Sequence, residues 1–270
     1  MKLVIEPGRT ARNYWRDLWR YRELMYFLAW RDLAVRYKQT AIGVAWAVIR
    51  PALTMAVFVV FRRFVGIAPG AVPDPILVLA AVLPWQFFAA ALTDSSGSLI
   101  ANTNLIAKIY FPRLIVPGAA VVTALVDFVI TLGMLAVVMA WYGFAPGWHL
   151  LALPVFVVIT FGLSLGFGVF LAALNVEYRD FRYVVPFVVQ FGLFISPIAF
   201  TTDHVPERWR SWYAWNPMVG IIDGFRWSIL GGRTPLNREA VALSIAMTLF
   251  FLVLGVWYFR RVERRFADVI

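Results

Sequence analysis

Long apolar runs divide this sequence, and every polar residue has to be placed around them. Membrane spans are predicted over 42–65, 76–96, 114–142, 149–174, 184–200 and 240–259. A helix rises about 1.5 Å per residue, so about 20 apolar residues cross a hydrocarbon layer of about 30 Å. The runs lack the period-two alternation of barrel strands. The fold class is therefore an all-α integral membrane protein with six transmembrane helices, and 61% hydrophobic against 15% charged residues agrees with it. The fifth run is the shortest, with Pro186 and Pro197 near its ends.

Charge gives the orientation. Seventeen Lys and Arg fall on the proposed inner side and seven on the outer, with Arg50 completing the 25. Both termini are therefore placed in the cytoplasm by the positive-inside rule. The +10 net charge clusters at membrane edges and points there rather than to nucleic acid. Charges throughout residues 2–23 leave no apolar h-region, so no signal peptide is read.

Residues 1–40 are read as an N-terminal cytoplasmic segment and 41–270 as the membrane domain. From 14 to 38 the pattern is amphipathic and aromatic. Tyr26, Trp30, Leu33 and Tyr37 share one helical face, while Arg31, Asp32, Arg36 and Lys38 lie on the others. A helix lying flat in the headgroup layer, against anionic lipid, is expected.

Arg50, Asp94 and Asp127 are read as polar residues inside the predicted spans. Arg50, before Pro51, is read as snorkelling to the inner surface, with Asp94 as its candidate partner otherwise. Asp127, near the middle of the third span, is either a functional group facing a cavity or a protonated packing partner. Arg62 and Arg63 are expected to face outside. Gly162, Ser164, Gly166 and Gly168 form a small-residue pattern read as close helix packing.

Two polar stretches interrupt the inner side. In 102–113, Asn102 or Thr103 is expected to cap a short helix that stops before Pro112, with Lys108 and Arg113 marking it as cytoplasmic. Residues 174–183 knot Glu177, Arg179, Asp180 and Arg182 between two apolar runs, read as a salt-bridged hinge. On the outer side, Pro217 opens a run over 218–230 that reaches only about 20 Å and cannot cross. It reads as a re-entrant or gate helix.

A pump needs an energy source, and none is encoded in a recognisable form. None of the three lysines follows a glycine, so there is no phosphate-binding loop. Cysteine is absent, and His149 and His204 stand alone, so no metal-ligand spacing occurs.

The sequence resembles a known family at several points. Residues 31–40 with Gly43, Trp46 and Pro51, then 104–108 with Phe111, Pro112, Arg113 and Pro117, are similar to bacterial polysaccharide-export ABC permeases. So are 175–181, and Asn216, Pro217 and Met218 running to Gly231. Within the family the chain looks most similar to exporters of lipid-linked O-antigen, with capsule and teichoic-acid exporters as near relatives. The resemblance implies a homodimer in the bacterial inner membrane, bound to two copies of a cytoplasmic ATPase that carries the ATP and Mg. No cofactor is implied on this chain.

It further implies that 102–113 is the main coupling helix, through Asn102, Asn104, Leu105, Lys108, Tyr110, Phe111 and Arg113. Glu177, Tyr178, Arg179, Asp180 and Arg182 would flank it, as would the N-terminal helix with Tyr26, Trp30, Arg31, Arg36, Tyr37 and Lys38. Trp212, Trp215, Asn216, Pro217, Asp223 and Arg226 would belong to an outer gate. The substrate implied is an undecaprenyl-linked polysaccharide. A permease for a small drug or lipid is one alternative. A membrane enzyme acting on polyprenyl-phosphate sugars, using Asp127, Glu177 and Asp180, is another.

Overall fold

The computed structural model describes residues 10–38, 43–67 and 70–263, and among these the chain is all helical. Helices α1 (Thr10–Arg20) and α2 (Arg22–Lys38) precede α3 (Ala45–Phe64) and α4 (Asp74–Ala101). The short α5 (Thr103–Lys108) leads to α6 (Ile115–Trp141), and a 3₁₀ turn at Trp148–Ala152 runs into α7 (Leu153–Glu177). Then come α8 (Phe181–Ile195), α9 (Glu207–Tyr213), α10 (Pro217–Ile229) and α11 (Arg238–Val262).

Five helices are long and apolar enough to cross a membrane: α3, α4, α6, α7 with its leading turn, and α11. The sixth expected span, α8, has 15 residues and reaches about 22 Å. It stops earlier than the apolar run because Pro197 forces extended backbone on Ser196, whose ψ is 152°. Even so, α8 carries the chain from one end of the bundle to the other. Glu177, before it, touches the last turn of α11, and Ala199, after it, touches Arg62 near the far end of α3.

The core is built around α4, whose residues from Ile76 to Trp85 are all buried. It packs on α3, α6, α7, α8 and α10. Along α7 the small residues do what the pattern predicts. A Cβ added to Gly166 would lie 2.5 Å from the Leu252 nitrogen, and one on Gly255 would lie 2.2 Å from the Gly166 oxygen. Backbone therefore meets backbone where α7 crosses α11.

The second helix departs from expectation. It does not lie flat across the helix ends; it runs alongside α6 in the same direction. Met25 lies against Gly118, the Ala29 carbonyl is near Thr123, and Arg36 meets Asp127. Its buried face is Leu28 and Ala29, which join Ile106, Phe111 and Ile115 in a cluster separate from the main core. Burying those side chains stabilises the contact more than a surface position would.

The same contacts change the reading of Asp127. Thr131, one turn beyond it, lies against the Ala47 carbonyl in the first turn of α3. With 20 residues, α3 is about as long as the hydrocarbon is thick. Taken as a ruler, it sets Asp127, midway along α6, level with its own first turns.

At the opposite end Arg63 is exposed, while Arg62 and Arg226 are buried guanidinium groups. Arg62 is buried, pairs with Asp74 at 3.1 Å and donates to the Ala199 carbonyl at 2.7 Å. Arg226 is fully buried and donates to the carbonyls of Ile198 and Phe200, each at 2.9 Å, and of Leu77 at 3.3 Å. Three consecutive carbonyls left open by the break after α8 are thus satisfied by arginine, as buried backbone groups require.

Gly166→Val should therefore drive a side chain into α11 backbone and lower stability by about 3 kcal/mol. Gly97→Ala, at a site with nothing within 4 Å, should be close to neutral. Thermal melting of the purified variants checks both.

Candidate functional site

The first candidate surface lies at the end of the bundle that carries α5. Asn102 breaks α4 from α5 but does not cap it with its side chain, contrary to expectation. Its Nδ2 donates to the Ser98 carbonyl at 2.8 Å, and its Oδ1 accepts from Arg31 Nη2 at 2.8 Å. The side chain thus extends α4 by one bond and ties the junction to α2. Arg31, expected in headgroups, is occupied by Asn102 and by Asp32 at 2.7 Å.

The segment after α5 is clasped as firmly. Ile109 is extended and Phe111 is buried in the cluster with Leu28 and Phe259. The Arg113 backbone N–H donates to Glu263 Oε1 at 3.1 Å, and Arg113 Nη1 donates to the Glu263 carbonyl at 2.6 Å. Tyr14 adds a longer bond to the same carboxylate at 3.4 Å. Burial pushes the Tyr14 hydroxyl upward, and Glu263 reinforces this, so it stays a donor. Burial also raises the Glu263 carboxyl, which Arg113 opposes.

The predicted coupling residues therefore divide into two groups. Asn102, Leu105, Phe111 and Arg113 fasten the segment to α2, α6 and α11. Asn104, Lys108 and Tyr110 are exposed beside Ala107 and Ile109. The second group is the surface available to another molecule.

The charged knot is not the salt-bridged hinge expected. Glu177 Oε2 accepts from the Tyr258 hydroxyl of α11 at 2.5 Å. Asp180 pairs with neither Arg179 nor Arg182 among the described residues, and Arg182 lies over the Tyr183 ring at 5.2 Å. Three residues separate α7 from α8, and Tyr178, Arg179, Asp180 and Arg182 are all exposed there. Asn175, which opens the 175–181 stretch but was given no role, donates to the Ser96 carbonyl at 3.0 Å and holds α7 to α4.

The second candidate site is a cavity of about 600 Å³ among α2, α3, α4 and α6. Arg36 reaches both carboxylates: Nη2 lies 2.7 Å from Asp94, and Nη1 binds Asp127. Tyr37 donates to the other oxygen of Asp127. Burial, with Asp127, keeps the Tyr37 hydroxyl well above its ordinary range. Asp94 is therefore the partner of Arg36, not of Arg50. Sequence reasoning missed this because it laid α2 across the helix ends. The signal it held was that two unpaired carboxylates at one level need a cation, and a helix packed on α6 brings one.

The other predicted residues distribute as follows. Tyr26 and Trp30 face outward, as does Lys38, which fits contact with lipid for the two aromatics. Trp212 and Trp215 are exposed, while Asn216 caps α10 by accepting from the Met218 N–H at 3.0 Å, with Pro217 at its first position. Asp223 is buried with both oxygens within 2.9 Å of Thr202 Oγ1, and Arg226 is part of the carbonyl clamp. These two are packing elements, not the lining of an opening. Asp127 and Glu177 line separate cavities, so the acid set of the enzyme reading is not brought together. Among the described residues, no three His, Cys, Asp or Glu come close enough to hold a metal.

A bundle of crossing helices, five of them long and apolar enough to cross a membrane, with a short exposed helix at one end, defines a multi-pass membrane protein. The family model described as ABC-2 type transporter matches residues 23–230, and the chain belongs to that family. It is 29% identical over 259 residues to the O-antigen export system permease protein RfbA of Myxococcus xanthus, covering 94% of this chain and 98% of that one. A Klebsiella pneumoniae protein of the same name is 28% identical over 256 residues, covering 92% and 95%. The polysialic acid transport protein KpsM of Escherichia coli is 26% identical over 243 residues, covering 86% and 91%.

Replacing Arg113 by Ala removes a hydrogen bond from a charged donor, of about 1.5–3 kcal/mol. Backbone amide exchange across 109–116 should then quicken by about tenfold or more, with α10 unchanged, as read by mass spectrometry.

Proposed function

We propose that this chain is the membrane permease of an ATP-driven exporter of a lipid-linked polysaccharide, O-antigen being the first candidate. The observation that carries the reading is α5, a six-residue helix that presents Asn104 and Lys108 outward, with Tyr110 exposed just after it, while anchors on α2 and α11 hold the segment. A motor gripping such a helix moves the spans attached to it as a body. ATP and Mg belong to the partner ATPase, and two copies of each subunit form the exporter, with the pore between the permeases.

Several features support six crossings with both termini in the cytoplasm. Bonds from α2 to Asn102, from Glu263 to Arg113 and from Tyr258 to Glu177 gather one set of connections at a single end. The excess of Lys and Arg assigned to that end makes it cytoplasmic, in the inner membrane of a bacterium. Helix α8 is the fifth crossing, completed by the clamped segment 196–200. Helices α9 and α10 then lie on the outer side, α10 buried as a re-entrant element that carries the exposed Trp212 and Trp215 segment at its start. The capsule-export reading is the second choice, since the polysialic acid relatives match less of the chain at lower identity.

Deleting the gene should leave the lipid-linked polymer on the inner face, visible as loss of surface polymer by immunoblot of intact cells. Normal surface polymer would refute the export reading. Lys108→Glu reverses an exposed charge on α5, and co-purification with the ATPase should fall by about fivefold or more, as expected where opposite charges meet. Unchanged co-purification would remove α5 from the interface.

A further inference from the structure

The cavity walled by Arg36, Asp94 and Asp127 holds charges of both signs that do not close on one another. On one wall, two carboxylates share the single guanidinium of Arg36, which leaves that wall net negative. Asp94 uses one oxygen for Arg36, and its second accepts no hydrogen bond among the described residues. On another wall stands Arg50, which makes no side-chain hydrogen bond or ion pair among the described residues, although it lines the same space. Arg50, exposed on α3, therefore presents an open guanidinium to the same space as two carboxylates that one arginine does not neutralise.

Three properties define that occupant. A purely anionic group on Arg50 would face the carboxylates, and a purely cationic one would face two guanidinium groups. A group carrying both charges satisfies each wall. The cavity lies level with the first turns of α3, which is the edge of the apolar layer, so lipid headgroups reach it. Its volume of about 600 Å³ exceeds a headgroup, and Trp46, Phe87 and Val189 supply an apolar lining for the carbons that follow.

We propose that this cavity seats the headgroup of an aminoethyl phosphate lipid, with the phosphate on Arg50 and the ammonium on the Asp94 and Asp127 carboxylates. Arg50 offers a bidentate fork to the phosphate oxygens. The ammonium donates to the free oxygen of Asp94. The lipid then wedges α3 against α4 and α6 and fixes the width of the cavity. It is a resident lipid, distinct from the transported one.

The test uses the full chain, purified in detergent and offered equal amounts of phosphatidylethanolamine, phosphatidylglycerol, phosphatidylcholine and undecaprenyl diphosphate, with retention read by native mass spectrometry. Phosphatidylethanolamine should be retained over phosphatidylglycerol, and over phosphatidylcholine, whose methylated nitrogen donates no hydrogen bond. Arg50→Gln should lower its retention by about tenfold, the scale of one charge-assisted bond, and Arg50→Lys should restore most of it. Asp94→Asn should shift the preference to phosphatidylglycerol by making the cavity positive. Equal retention of all lipids, or no response to Arg50→Gln, would overturn the proposal. So would Arg50-dependent preference for undecaprenyl diphosphate, which would give the cavity to the transported lipid. Binding is read on the purified chain, so neither result depends on the export reading.

Discussion

The arrangement at one end of this protein depends on a single guanidinium. Two carboxylates, on α4 and α6, stand at the boundary of an apolar layer, where an isolated charge is costly. Arg36 meets both because its planar fork presents several donors at once, which an ammonium group cannot do in the same way. To deliver that fork, α2 must lie along α6 and end at the level of Asp127. The first turns of α3 lie beside that level and, with Arg50, line the same cavity. The pairing therefore sets where α3 begins relative to α4, and Gln86 with Thr54, then Asp74 with Arg62, continue that register to the far end.

The far end solves a different problem with the same residue type. Pro197 stops α8 and leaves backbone carbonyls without helical partners. Water is scarce in that buried place, and Arg62 and Arg226 supply the donors. Burial of Arg226 draws no exposed charge into the core, because its donors are spent on carbonyls and Asp223 lies one turn away on the same helix. Between its two ends α8 packs mainly on α4 and α7, and Phe187, Phe191 and Phe194 remain outside. It is held at a clamp at one end and at the exposed break after Glu177 at the other, so rotation about the clamp is its least opposed movement.

Much of the architecture was legible in the sequence, because hydropathy over 20 residues is a strong signal. The ends of α6, the position of α10 behind its Asn216 and Pro217 start, and the close contact of Gly166 with α11 all follow from local chemistry. What was not legible was the direction of a helix relative to others. The faces of α2 were read correctly as aromatic and charged, yet nothing local shows whether it crosses the helix ends or follows α6. That one ambiguity placed Arg31 and Arg36 in headgroups and left Asp127 without its cation. Similarly, Arg62 was read as facing outside and Asp223 and Arg226 as parts of an outer gate, since sequence does not show that three carbonyls after a proline break lie beside the two arginines. The knot failed for a related reason: Glu177 finds Tyr258, some eighty residues on.

The two candidate sites are joined through α2. Arg31 holds Asn102 at the start of α5, and Arg36, a little more than one turn further along, holds the cavity wall. The helix between them is continuous, so it transmits displacement with little bending. If α5 moves relative to α2, the Arg31 to Asn102 bond breaks; if that bond holds, α2 moves with α5. In the second case Arg36 is pulled against Asp94 and Asp127, which sit on two different spans. The cost of separating those ions in a partly shielded place exceeds that of shifting the start of α3, which packs mainly on α4 and α6 and lies largely exposed. A push at α5 is therefore relieved first at α3 and the cavity beside it, and the α7 and α11 pair, locked backbone to backbone, stays as the fixed frame against which that movement occurs.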